Sequence, residues 1–507
     1  MIVVKSKLGI LLTVCAAVLA INLDTTIVNV ALPSISRELN ADTRQLQWVV
    51  DGYNLAFAAL VLAAGSLSDR YGRRPALILG LLGFAAASAA GALVTSAWAL
   101  VAARVAMGMF AALIFPTTLS IISNTFRERK QLAAALGVWG AVVGIGVAAG
   151  PVTGGLLLEH FFWGSVLWAL VPLALVAALA AFFVVPESRD PGIPRLDLAG
   201  LGVSVAMLGV LTYTIIEGPA YGWRSVQTLG GFALSAGLLL AFVVLERIVA
   251  HPMLDVSLFR DRRFSAASGA VTLTFFALFG FIFLITQYFQ FIRGYGPLST
   301  GARILPVAVS IAAASVAGAI LAPRIGTKVV VTAGLLSFGS AFLWISTVAV
   351  DAPYATVIVP QMVLMGVGMG LISTPATESI LLVLPPARAG VGSAVNDATR
   401  ELGGTLGVAV VGSIFSSVYA ARLADGLVGR LPADVLTRAQ DSVGAARAVG
   451  AGSAQLTSAV QDAFMSGLST SCVVIGVLCL VGALAASVAL PGRLARVEPA
   501  VPKQLVG

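Results

Sequence analysis

Charge is scarce in this sequence. Only 11% of its 507 residues are Asp, Glu, Lys or Arg, whereas 58% are apolar. A soluble globular chain carries roughly 25% charge, and one of this length would need a charged exterior. Histidine and cysteine are rarer still, two and three residues respectively. That excludes a disulfide scaffold and leaves little room for a metal centre. Cys15, Cys472 and Cys479 all lie inside apolar blocks and read as small buried hydrophobes. No sizeable polar domain and no interfacial cluster of His, Asp or Cys is present, as a membrane enzyme or receptor would require.

What is present is a series of apolar blocks about 20 residues long, the length that crosses a hydrocarbon core of roughly 30 Å. Backbone groups find no water there, so each block is expected to be a helix. Fourteen spans are expected, among them 9–32, 46–67, 98–121, 132–157, 198–217, 227–249 and 390–415. Lys5 and Lys7 precede the first block as in a signal peptide, but no cleavage site and soluble domain follow, so a retained first helix is expected.

The net charge of +8 does not point to nucleic acid, because the basic residues sit in short clusters between blocks. If both termini are cytoplasmic, twenty Lys and Arg fall inside and nine outside, as orientation by basic loops requires. Four of the nine, Arg422, Arg430, Arg438 and Arg447, share one long loop, where the rule is weaker. Arg247 and Arg303 sit at the ends of expected spans; only Arg104 and Arg400 fall well inside one.

Between the second and third spans lies Gly65-Ser66-Leu67-Ser68-Asp69-Arg70-Tyr71-Gly72-Arg73-Arg74. Orientation alone accounts for the arginines but not for two glycines and an aspartate at these spacings. The glycines suit a tight turn and close helix approach. Asp69, expected at the start of a helix, can bind free backbone N–H groups and nearby arginines. This segment resembles the signature loop of the major facilitator superfamily. Further matches narrow the resemblance to the fourteen-helix drug:proton antiporter branch, the quaternary-ammonium and multidrug efflux type. They are Leu23-Asp24-Thr25-Thr26-Ile27-Val28-Asn29-Val30-Ala31-Leu32-Pro33 and Gln47-Trp48-Val49-Val50-Asp51-Gly52-Tyr53. In the fifth span, Gly140, Gly144, Gly150, Pro151, Gly154 and Gly155 reproduce the antiporter motif. Taken alone, glycines four apart only let helices pack closely. Similarity continues through Gly366, Gly370 and Pro375 and from Gly392 to Gly412. Met107 stands where the family usually has Gln, and the second-half counterpart of the loop, Ala322 to Lys328, is degenerate.

The resemblance implies an all-α polytopic membrane protein. Residues 1–190 would form a six-helix bundle, 191–263 two inserted transmembrane helices, and 264–507 a second six-helix bundle. Residues 186–197, with Pro186, Pro191, Gly192 and Pro194, read as the linker, and 421–462 as an outer loop of short amphipathic helices. It further implies a monomer in the cytoplasmic membrane that exports lipophilic, cationic small molecules by antiport. A proton gradient would drive it without a cofactor, and Gly65, Asp69, Arg70, Gly72 and Arg73 would act as its gating loop. Export of one specific metabolite by the same machinery is the alternative.

Antiport needs acids within the membrane, where an uncompensated charge costs several kcal/mol even on low estimates. Asp24 lies deep in its span. Asp397 and Glu401, four apart, share a helix face, and two carboxylates so close in a dry site resist double ionisation. Asp24 and this pair, with Arg104 and Arg400 as the basic residues well inside spans, are the expected coupling and substrate residues. Asp51, near the outer mouth, suits either coupling or an interfacial position. The phenylalanines of the ninth span, from Phe275 to Phe291, are expected mostly in packing.

Overall fold

The computed structural model describes residues 7–190, 197–249, 252–382, 389–427, 431–451 and 453–490. Fourteen helices among these residues are long and apolar enough to cross a membrane. In the first half they are α1 (Lys7–Glu38), α2 (Thr43–Tyr71), α3 (Arg73–Ala92), α4 (Ala97–Thr125), α5 (Arg129–His160), and the continuous pair α6 (Ser165–Trp168) and α7 (Leu170–Val184). Then come α8 (Leu198–Tyr221) and α9 (Val226–Ile248). The second half has α10 (Arg262–Gln287), α11 (Pro297–Ile325), α12 (Thr327–Ile345), α13 (Val359–Leu382) and α14 (Ala389–Leu427). After two short helices, α15 (Ala433–Asp441) and α16 (Val443–Gly450), it closes with α17 (Ala454–Ala489). The number of spans agrees with the sequence expectation; several helices, α1, α2, α4 and α5 among them, run past their apolar blocks at both ends.

Polar residues set the breaks. Asp42 and Gln45 form a reciprocal capping box at the start of α2, and Ser96, Asp197, Ser225 and Asp261 cap α4, α8, α9 and α10. Large apolar side chains such as Phe183, Leu240, Leu484 and Val488 remain more than 60% exposed. On a soluble protein such a belt would be a liability; facing lipid, it needs no cover.

Helices α1 to α7 pack among themselves, as do α10 to α14 with α17. The two bundles meet chiefly along α2 against α14 and α5 against α11. Their hydrogen bonds, among the described residues, gather at the end where α1 passes into α2. There Gln290 donates to the Val30 carbonyl (2.9 Å), Thr43 to the Asp441 carbonyl (2.9 Å), and Ser36 meets Ser442 (3.4 Å). The α15–α16 segment thus lies across both bundles at this end, with Arg447 donating to the carbonyls of Gln290 and Phe291. Helix α8 touches both bundles as well: Ser413 of α14 donates to the Ile215 carbonyl (2.8 Å), and Arg44 pairs with Glu217 (3.1 Å).

Candidate functional site

The deepest polar cluster links α1, α2 and α4. Arg104 Nη1 donates to both carboxylate oxygens of Asp24, at 2.6 and 2.7 Å, and its Nε donates to the Val49 carbonyl at 3.0 Å. The guanidinium lies 4.4 Å from the Tyr53 ring centre. Both charged residues are almost completely buried, Asp24 at 0% and Arg104 at 1% exposure. The counter-ion of Asp24 is thus supplied within its own bundle, by one of the two arginines expected well inside the spans. The Met107 sulfur lies 3.9 Å from the same guanidinium, a weak acceptor in the place where the family usually has an amide.

A second cluster lies where the bundles meet. Gln47, Asp51 and Asn54 follow one another at helical spacing, so they share a face of α2. Gln47 Nε2 reaches α14 through the carbonyls of Val408 (3.3 Å) and Ala409 (3.1 Å) and through Ser413 Oγ (3.4 Å). Gly412 permits this approach, since a Cβ there would meet the Gln47 amide at 2.5 Å. Asp51 is fully buried, and neither of its oxygens has a hydrogen-bond partner. Its side chain is packed inside the protein, not displayed on its surface. Asn54 Nδ2, the Tyr53 hydroxyl and Glu401 Oε2 are likewise buried and unpartnered.

On α14, Asp397 is 6% exposed and stands 3.9 Å from Arg400, beyond hydrogen-bond reach. Arg400 instead stacks on Phe275, 4.5 Å from the ring centre. Tyr53 lies against the Arg104 guanidinium with its ring, and its hydroxyl, like Glu401 Oε2, is buried without a hydrogen-bond partner. Tyr53 stood in the quoted α2 motif, but only the pairing of three helices shows what it touches. Trp48, of the same motif, donates to Glu217 at 3.4 Å, and nothing in the local spacing of Glu217 and Ser413 announces a junction of α2, α8 and α14.

The antiporter motif divides into two parts. Side chains added at Gly140 or Gly144 would meet nothing within 4 Å. At Gly150 and Gly154 they would run into Thr26 and Ile27 of α1, and at Gly155 into Leu298 and the Pro297 carbonyl of α11 at 2.6 Å. The Pro151 carbonyl in turn fills the space beside Gly301. The latter glycines thus allow α5 to touch both its own bundle and the opposite one.

At the other end, Asp69 lies in the last turn of α2, not at the start of a helix as expected. It accepts from Arg73 Nε at 2.6 Å. Gly72 has φ of +132°, which only glycine adopts readily. The loop is held by the segment following α7: the Arg73 N–H donates to Ser188 O (2.9 Å) and the Asp190 N–H to Asp69 O (2.7 Å). Arg74 donates to Phe182 O, and Arg70 packs near Tyr71. Gly65 lets α2 approach Pro116 of α4.

Two helical bundles with a buried polar seam, sealed at one end, define a membrane transporter of the kind whose halves rock about a central site. Residues 14–408 match the model of the Major Facilitator Superfamily, and the chain belongs to that family. It is 36% identical over 430 residues to the multidrug resistance protein Stp of Mycobacterium tuberculosis, covering 84% of this chain and 79% of that one. The multidrug efflux pump LfrA of Mycolicibacterium smegmatis is 34% identical, over 93% of this chain and 94% of its own. The tetracenomycin C resistance and export protein of Streptomyces glaucescens is 32% identical, over 97% and 93%. Among solved structures, a bacterial homologue of the lysosomal transporter Spinster, inward-facing and unoccupied, superimposes with a TM-score of 0.68 at 16% identity. That match covers 97% of this chain and all of the other, and it shows the fold.

Proposed function

We propose that this protein exports lipophilic, cationic small molecules across the cytoplasmic membrane in exchange for protons, with both termini in the cytoplasm. The observation that carries the reading is the seam between α2 and α14. It holds Asp51 and Glu401 with carboxylate oxygens that no protein group satisfies, in a chain whose relatives are named for drug efflux. Buried carboxylates without partners suit either a proton or a cationic ligand, but not both together. With basic loops inside, the sealed end faces out, and a compound enters from the cytoplasm or inner leaflet. Its charge replaces the proton on the seam acids, the bundles rock, and protons from outside then displace it.

Asp24 contributes differently. Tied to Arg104, it holds a fixed charge pair beside Tyr53 and tunes the seam, while Asp397, Glu401 and Asp51 exchange protons. The Asp69–Arg73 loop, gripped by the start of the linker, holds the first bundle in one of its arrangements. Export of a single metabolite is a second reading, favoured by the similarity to the tetracenomycin C protein across nearly the whole chain.

The test is a resistance panel in a pump-deficient host combined with proton flux in everted vesicles. Resistance to several unrelated lipophilic cations, each collapsing the proton gradient on addition, supports the first reading. Response to one compound class only supports the second. No proton movement with any transported compound overturns both.

A further inference from the structure

Asp197 and Glu246 stand apart from the seam, at the end of the inserted pair α8–α9 that joins the inter-bundle connections. Each is tethered through one oxygen and free at the other. Asp197 Oδ1 accepts from the N–H groups of Ala199 (3.1 Å) and Gly200 (2.9 Å), capping α8. Glu246 Oε2 accepts from the Leu254 N–H at 2.9 Å. Asp197 Oδ2 and Glu246 Oε1 are buried with no hydrogen-bond partner, and Glu246 is only 3% exposed.

The two free oxygens converge. A Cβ placed on Gly200 would stand 2.5 Å from Asp197 Oδ2 and 2.7 Å from Glu246 Oε1. Because position 200 is glycine, that space holds no side chain. Neither carboxylate forms an ion pair among the described residues, and their free oxygens share the space over Gly200. Two carboxylate oxygens held together away from water repel one another and lose hydration, which a bound cation or a shared proton relieves.

We propose that Asp197 and Glu246 bind a hard divalent cation, of the Mg²⁺ or Ca²⁺ type, over the face of Gly200. Such ions take carboxylate oxygens and complete their shell with carbonyls or water. Asp197 opens α8 directly after the inter-bundle linker, and Leu254 lies on the strand of chain leading from α9 to α10. A bound ion therefore staples the entry and exit of the inserted pair to each other. It gives the two extra helices a defined position against the connection along which the bundles move.

The purified full-length chain, stripped with chelator, is titrated with Mn²⁺ by electron paramagnetic resonance and with Mg²⁺, Ca²⁺ and Mn²⁺ by thermal unfolding. The wild type should bind one Mn²⁺ per chain, displaced by Mg²⁺ or Ca²⁺, with a saturable rise in Tm. Glu246→Gln keeps an oxygen for the Leu254 N–H, so it should fold, yet bind at least tenfold more weakly. Gly200→Ala should lose binding by filling the space while leaving both carboxylates in place. Absence of saturable binding by the wild type, or unchanged affinity in Glu246→Gln, overturns the proposal.

Discussion

Gly155→Ala places a methyl group where the two bundles touch. The new carbon would stand 2.6 Å from the Leu298 α-carbon and the Pro297 carbonyl, against an ordinary carbon contact of about 3.5–4.0 Å. Neither neighbour is a flexible side chain, so α5 and α11 must separate by about 1 Å or the backbone must bend. Overpacking of this kind costs about 1–3 kcal/mol, and the cost falls on the arrangement in which these helices touch. An arrangement with the outer end open does not bear it. The ratio of open to sealed forms should therefore rise by about 5- to 150-fold. Thr300, buried on α11 close to this crossing, reports the change when replaced by cysteine, because the native cysteines are all buried. An impermeant maleimide added outside should label Thr300→Cys faster in the Gly155→Ala background, and Gly144→Ala, which meets nothing, should leave the rate unchanged. Equal rates in all three backgrounds would refute the claim that this half of the glycine motif seals the outer end.

Asp24→Asn should cost about 3–5 kcal/mol, because it leaves Arg104 charged and buried without its partner; thermal unfolding of the purified protein measures this, and Arg104→Gln added to it should recover part of the loss. Asp69→Asn removes a partly exposed ion pair worth about 0–1 kcal/mol, so Tm should barely move while transport falls; normal transport would leave Asp69 with no gating role. Asp441, outside the spans and still partly exposed, has its carboxyl pushed above the ordinary value by partial desolvation, with Arg44 pulling the other way and Asp42 adding to the rise. The docked segment thus holds that proton more tightly than the free one, so docking strengthens as pH falls toward the ordinary carboxylate range and weakens as pH rises through the raised value. Hydrogen exchange of residues 433–450 should show this dependence, and Asp441→Asn should flatten it.

The fold was legible because its causes are local. Apolar length, basic clusters and glycine–proline patterns each act within one helix or loop, and they marked fourteen spans and the family's loop. The site was legible in composition but not in pairing. Asp24 and Arg104 are 80 positions apart, and their bond depends on how α1 and α4 pack. Asp51 was ambiguous because position along a helix reveals depth, whereas burial depends on which neighbouring helices pack over it. Asp69 was misplaced because α2 runs on to Tyr71 and the helix breaks only at Gly72, where φ turns positive. The α2–α8–α14 junction was invisible, since Gln47, Ile215 and Ser413 carry no shared pattern until the inserted helices are docked.

The central claim is that the seam acids exchange a proton for the transported cation. Proton release from purified protein, in weakly buffered detergent solution, should follow addition of a transported lipophilic cation such as ethidium. Asp397→Asn and Glu401→Gln should each suppress it, and Asp51→Asn should as well. Undiminished release in all three variants, with substrate still bound, would contradict proton exchange at this seam.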